Sequence, residues 1–262
     1  MPVVSANGIE QYYEIVGDGP PLVLVAGMGG TANYWQDTAT FFAEHYTVLT
    51  YDQRGTGRSQ LLPVTSIEQL RDDLLALLDA LDFDVIDFLG HSTGGNVAQI
   101  FAIENADRLA KLVIYASTSH GDAYRTKVWQ VRRAILEKLG PELYGDMSSI
   151  MLYPPRWIVE NLEKLESQQV GQMSMLATPE VQTSRIEAVQ AFDRRNQLSG
   201  ITSPTLVICA RDDNQTPAYF SEYLAANIPL AKLILMDYGA HACSRTVPDE
   251  FNQHVLEFLW NK

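Results

Sequence analysis

Five short, mostly apolar runs recur along this chain, at residues 22–26, 46–51, 85–89, 112–116 and 205–210. Each is too short for a helix, and together they read as strands covered on both faces. Helical patterns lie between them. Ser66-Ile67-Glu68-Gln69 is a capping box, and Leu70, Leu74, Leu77, Leu78 and Leu81 follow it at helical spacing. Residues 33–43 and 93–104 also read as helices. Strand and helix alternating over short connections predict an α/β fold, with a mostly parallel sheet and helices on both faces. An alternating strand at 9–16, closed by Gly17-Asp18-Gly19-Pro20, precedes this pattern. After 205–210 come a helix opened by Thr216-Pro217 with proline at its first position, a strand at 233–236 and a last helix from Pro248.

The alternation stops near residue 119. Residues 120–195 show no strand pattern and read as helices broken by Gly140-Pro141, Pro154-Pro155 and Thr178-Pro179. The expected organisation is a core of 1–119 and 196–262 with a helical cap of 120–195. The 262 residues carry a formal charge of −13. The cap holds 10 Lys/Arg and 10 Asp/Glu, so the core carries all of it. Such an acidic chain lacks the electrostatic footprint for nucleic acid or an anionic membrane. No apolar run approaches the roughly 20 residues of a membrane span, and the N-terminus has no signal-peptide pattern. Cys209 and Cys243 are too few for a secreted disulfide scaffold. A cytoplasmic protein is expected, with its oligomeric state, monomer or homodimer, left open.

Gly90-His91-Ser92-Thr93-Gly94 falls where the strand at 85–89 meets the helix at 93–104. This is the G-x-S-x-G elbow, in which a strained turn presents a serine at a helix N-terminus. Serine needs a base to be a nucleophile. His241 follows the strand at 233–236, on the C-terminal edge of the sheet, where open α/β sheets bind ligands. His91 is expected to point elsewhere from the turn. His45 and His254 read as surface helical residues, and His120 as a solvated loop residue. The acid that holds the base comes after the strand at 205–210, where Asp212 and Asp213 compete. Backbone N–H groups of Thr93 and of Met28, in Gly27-Met28-Gly29-Gly30, are the oxyanion donors expected. No metal or cofactor is called for.

These motifs resemble those of the α/β-hydrolase fold superfamily over essentially the full chain. Asp52-Gln53-Arg54-Gly55-Thr56-Gly57-Arg58-Ser59 is similar to that superfamily's D-x-R-G-x-G-x-S loop, which implies a structural role for Arg54. The resemblance implies Asp213 as the acid, in a D-x-x-x-P context, giving a triad of Ser92, Asp213 and His241. Within the superfamily the chain looks like 3-oxoadipate enol-lactonases, through Ser66-Ile67-Glu68-Gln69-Leu70 and the cap. It also looks like aminoacrylate hydrolases of pyrimidine degradation, through Ile208-Cys209-Ala210-Arg211-Asp212-Asp213 and Gly239-Ala240-His241-Ala242-Cys243.

What the resemblance implies is a serine hydrolase acting on a small ester, lactone or enamine-type acid. Both groups act on carboxylated substrates. One cap arginine among Arg125, Arg132 and Arg133 is therefore expected to bind a carboxylate, solvated helix faces being the plainer alternative. Of the cap aromatics Tyr124, Trp129, Tyr144, Tyr153, Trp157 and Phe192 some are expected to face the pocket, with Trp129 and Tyr153 the candidates for substrate contact and packing the plainer alternative. Perhydrolase, haloperoxidase-like or acyltransferase chemistry on the same triad is the first rival reading. A non-catalytic ligand-binding module is the second.

Overall fold

The computed structural model describes residues 2–173 and 177–260. Eight strands form one sheet: β1 (Val3–Ala6), β2 (Ile9–Val16), β3 (Pro21–Val25), β4 (Thr47–Tyr51), β5 (Ile86–His91), β6 (Leu109–Tyr115), β7 (Thr205–Ala210) and β8 (Ala231–Met236). Their order is β1-β2-β4-β3-β5-β6-β7-β8. β1 pairs antiparallel with β2 and β2 with β4, and every other neighbouring pair is parallel.

The apolar runs bury both faces of the sheet, as their lack of alternation predicts. Val23, Val25, Phe88, Leu112 and Ile114 point to one side. There they meet Leu70, Leu74 and Leu77 of α2 (Ile67–Ala80) and Val97 and Phe101 of α3 (Thr93–Glu104). Leu22, Leu24, Leu89, Val113 and Tyr115 point to the other. There they meet Phe42, at the end of the short helix α1 (Gln36–Phe42), and Phe251, Val255 and Leu259, near the C-terminus. Truncating one such leucine to alanine costs about 2–5 kcal/mol, so both cores are strongly specified.

Between β6 and β7 the chain runs through α4 (Ala123–Leu139), α5 (Pro141–Leu152), α6 (Pro155–Glu160), α7 (Leu162–Met173) and α8 (Pro179–Ala191). The remaining helices are α9 (Ala218–Asn227), α10 (Cys243–Thr246) and α11 (Pro248–Trp260), the last supplying Phe251, Val255 and Leu259. Among the described residues no helix is long and apolar enough to cross a membrane.

Some local expectations change. Pro217 is the N-cap of α9 rather than its first helical residue. The stretch 33–43 is α-helical only from Gln36, its first turn being a tighter 3-10 turn. His45 lies in the turn after α1, half-buried, with its ring edge-on to Trp260. The capping box forms in part: Ser66 Oγ accepts the Gln69 N–H, but Gln69 Oε1 accepts from Thr65 rather than Ser66.

Candidate active site

Ser92 occupies the turn between β5 and α3 with φ 53° and ψ −113°, a conformation that costs an L-residue energy. Close packing explains the glycines around it. A Cβ on Gly90 would lie 2.4 Å from the Gly94 carbonyl oxygen, and one on Gly94 would lie 2.1 Å from that of Val25. The turn is tied down by the Ser92 N–H to Tyr115 O (2.9 Å) and by Ser117 Oγ–H to Ser92 O (2.7 Å).

The loop after β3 approaches Ser92 closely, since a Cβ on Gly27 would sit 3.1 Å from Ser92 Cβ. The Gly30 N–H donates to Gly27 O at 3.0 Å, closing a turn with Met28 and Gly29 at its centre. Neither the Met28 N–H nor the Thr93 N–H makes a backbone hydrogen bond among the described residues. Met28 lines the same cavity as Ser92, and Thr93 follows Ser92 in the chain.

His241 follows β8 and is fully buried. Its Nδ1 lies 2.8 Å from Asp213 Oδ2. The Asp213 carboxylate also accepts the N–H groups of Gln215 (2.7 Å) and Thr216 (2.9 Å), which fix its plane. Because a carboxylate accepts, Nδ1 carries the proton, and Nε2 is left as a buried lone pair with no protein partner among the described residues. Asp212 takes another place, accepting the N–H groups of Ala240 (2.8 Å) and Gly239 (3.3 Å). It anchors the histidine loop and does not reach the imidazole.

Ser92, His241 and Met28 line one cavity of about 390 Å³, enclosed between the sheet edge and the helices inserted after β6. Of the expected contacts from that insertion, Arg132 and Tyr153 line this cavity. Arg125 and Trp129 do not. They line a separate cleft of about 90 Å³, and Trp129 packs into the hydrophobic core. Arg133 takes the plainer alternative, for it faces solvent and pairs with Glu137 and Glu187.

The charges in the cavity are unusual for so acidic a chain. Among the described residues no aspartate or glutamate lines it, and its cationic side chains are Arg132 and Arg245. Both arginines are held by neutral groups. Arg132 donates to Gln215 Oε1 (2.9 Å), Tyr144 OH (3.0 Å) and Ser148 Oγ (3.0 Å). Arg245, on α10, donates to Tyr153 OH and Gln168 Oε1, both at 2.9 Å. Among the described residues no carboxylate pairs with either, which favours an anion in the cavity.

Sequence reasoning set His91 aside, yet its ring lies 4.7 Å from that of His241 and stacks between Tyr34 and Tyr115. Its Nε2 is 2.9 Å from His241 O, and Tyr115 OH donates to the same carbonyl at 3.0 Å. Burial and the nearby His241 hold His91 well below the usual histidine range, so it is neutral and donates through Nε2. It positions the backbone of His241. Arg245 also escaped the sequence reading, because nothing in its local pattern marks it, whereas Tyr144, one of the cap aromatics, does line the cavity.

This fold and this arrangement define a class, and comparison with known proteins gives the same one. Residues 22–254 match the model of the alpha/beta hydrolase family, and the chain belongs to that family. A curated protein of Azorhizobium caulinodans named "Putative carbamate hydrolase RutD" is 37% identical over 259 residues, covering 98% of each chain. The enol-lactonase of Burkholderia xenovorans LB400 superposes with a TM-score of 0.92 at 27% identity, covering 99% of this chain and 100% of its own. A thermophilic esterase of Thermogutta terrifontis, solved with malate bound, superposes at 0.87 with 25% identity, covering 98% of this chain and 97% of its own. Both resemblances legible in the motifs, to enol-lactonases and to the pyrimidine-degradation hydrolases, are borne out.

Proposed function

We propose that this chain is a serine hydrolase of small carboxylate-bearing compounds, acting through an acyl-enzyme on Ser92 beneath a cap formed by residues 120–195. The observation that carries the reading is His241. It is held by Asp213 at 2.8 Å, and its Nε2 has no protein partner among the described residues, beside the cavity that Ser92 and His241 line.

In this mechanism Nε2 takes the Ser92 proton as Oγ attacks the acyl carbon. The carbonyl π pair moves onto oxygen, where the N–H groups of Met28 and Thr93 meet it. Losing one such donor costs about 3–4 kcal/mol of barrier. Asp213 stabilises the imidazolium. Collapse of the tetrahedral adduct expels the leaving group, which takes the proton from Nε2. A water then gives a proton to Nε2 and attacks the acyl-enzyme, and the acid and Ser92 Oγ–H are released.

Arg132 and Arg245 support the substrate class: no carboxylate pairs with either among the described residues, and both suit a carboxylate in the cavity that Ser92 lines. The esterase solved with malate bound accords with a small anionic ligand, and the relative named for carbamate hydrolysis and the neighbour named as an enol-lactonase accord with hydrolysis of a small acyl compound. A panel of carbamates, enamine acids, enol lactones and neutral p-nitrophenyl esters tests the reading. Anionic members are expected to show the higher kcat/KM, and Ser92→Ala to abolish turnover of all. A preference for neutral members would remove the substrate class while leaving the chemistry.

A further inference from the structure

Arg185, on α8, is one of the largest fully buried side chains in the molecule. No carboxylate pairs with it among the described residues. Its Nε donates to Met28 O at 3.3 Å, its Nη1 to Arg54 O at 2.7 Å and its Nη2 to Gln53 Oε1 at 2.8 Å. Burial pushes its pKa down to about 10. A buried cation without a counter-ion is costly, so its placement calls for a reason.

The three acceptors supply that reason. The N–H of Met28 and the C=O of Gly27 share one planar peptide, so fixing one fixes the other. Gly27 O is held by the Gly30 N–H. Gly30 O in turn accepts from the Gln53 N–H at 2.8 Å, and Ala26 O accepts from Gln53 Nε2 at 2.7 Å. Arg185 grips both ends of this arrangement, Gln53 through its side-chain oxygen and Met28 through its carbonyl. The fit is close, for a Cβ on Gly30, whose φ is +66°, would lie 2.9 Å from Arg185 Nη2. Arg185 does not line the cavity.

We propose that Arg185 is a positioning residue for the oxyanion donor Met28, reaching from the inserted helices to set the turn at 27–30. The proposal rests on the serine-hydrolase reading above. It makes the seating of α8 on the core and the geometry of the oxyanion site depend on one side chain. An oxyanion donor acts chiefly on the transition state, so loosening it lowers kcat and leaves substrate binding nearly unchanged.

The test compares the wild type with Arg185→Lys and Arg185→Ala on a p-nitrophenyl ester and against a small alkylboronic acid, which forms a tetrahedral adduct on a nucleophilic serine. Lysine keeps the charge but cannot span three acceptors in one plane, and it guards against a misfolded alanine variant. Both variants are expected to lose about 10- to 100-fold in kcat, with KM within about threefold and boronate affinity falling in parallel. Guanidinium ion, well below denaturing concentrations, is expected to restore part of the kcat of Arg185→Ala and to leave the wild-type-like kcat of Arg133→Ala unchanged. Folded variants that keep wild-type kcat and boronate affinity would overturn the proposal, as would losses confined to KM and thermal stability. A wild type that does not bind the boronate would instead remove the serine reading, and this inference with it.

Discussion

Asp213 and His241, separated by 28 positions in the chain, meet at 2.8 Å at the C-terminal ends of β7 and β8, both fully buried, while the adjacent Asp212 turns away to hold the backbone of the histidine loop. The two aspartates should therefore respond differently. Asp213→Asn is expected to lower kcat by about 10³- to 10⁴-fold, because the amide favours the wrong histidine tautomer. Asp212→Asn keeps a carbonyl acceptor for the Ala240 N–H and should stay within about tenfold of wild type. Steady-state kinetics of the two variants on one ester decides this, and comparable losses would reverse the assignment.

Arg132 and Arg133 are neighbours in sequence with opposite surroundings, one in the cavity and one on the surface. Arg132→Met is expected to lose about 10- to 100-fold in kcat/KM on an anionic ester and to stay within about threefold on a neutral ester of similar size. Arg133→Ala should change neither. Equal losses by Arg132→Met on both esters would mean that the guanidinium only packs.

His91 predicts a pH dependence of stability. Burial and the nearby His241 hold its pKa in the fold well below the ordinary histidine value of about 6.5. Below pH about 6.5 the unfolded chain therefore binds a proton that the folded chain refuses. The stability this residue contributes is present above that pH and falls as the solution is acidified, by up to about 1.4 kcal/mol per pH unit. Urea unfolding of the wild type and His91→Phe between pH 7 and 5 is expected to show the smaller acid slope in the variant. Equal slopes would mean that His91 takes up its proton without unfolding.

Arg54 and Asp73 form a buried two-point ion pair, Nε to Oδ2 and Nη2 to Oδ1, both at 2.7 Å. Removing one partner strands the other charge. Arg54→Ala is accordingly expected to lose about 3–5 kcal/mol of unfolding free energy. A loss under about 1 kcal/mol in denaturant unfolding would show that water replaces the pair.

The strands and helices of the core were legible because each apolar run has to satisfy two cores at once, which leaves a continuous signal in the sequence. β1 gave no such signal, since it is an edge strand with a mostly exposed pattern. Ser92 and His241 were legible because glycine spacing and position after a strand are local facts. Local pattern left Asp212 and Asp213 open, because adjacent residues on a loop turn to different partners; only the resemblance to a known family favoured Asp213, the residue that the fold sets against His241. Arg185 and Arg245 were invisible for a related reason. Their acceptors are carbonyl, amide and phenol oxygens lying 77 to 157 positions away, which leave no charge pattern to read. Arg125 and Trp129 were misassigned because the helical spacing of α4 does not say which of its buried faces meets the cavity.

Covalent labelling tests the central claim most directly. After brief exposure to a fluorophosphonate, intact-mass analysis and peptide mapping are expected to find one adduct, on Ser92, in step with complete loss of hydrolysis, and no adduct in Ser92→Ala. A wild type that stays unlabelled while it turns over substrate, or an adduct on another residue with activity lost, would contradict an acyl-enzyme on Ser92.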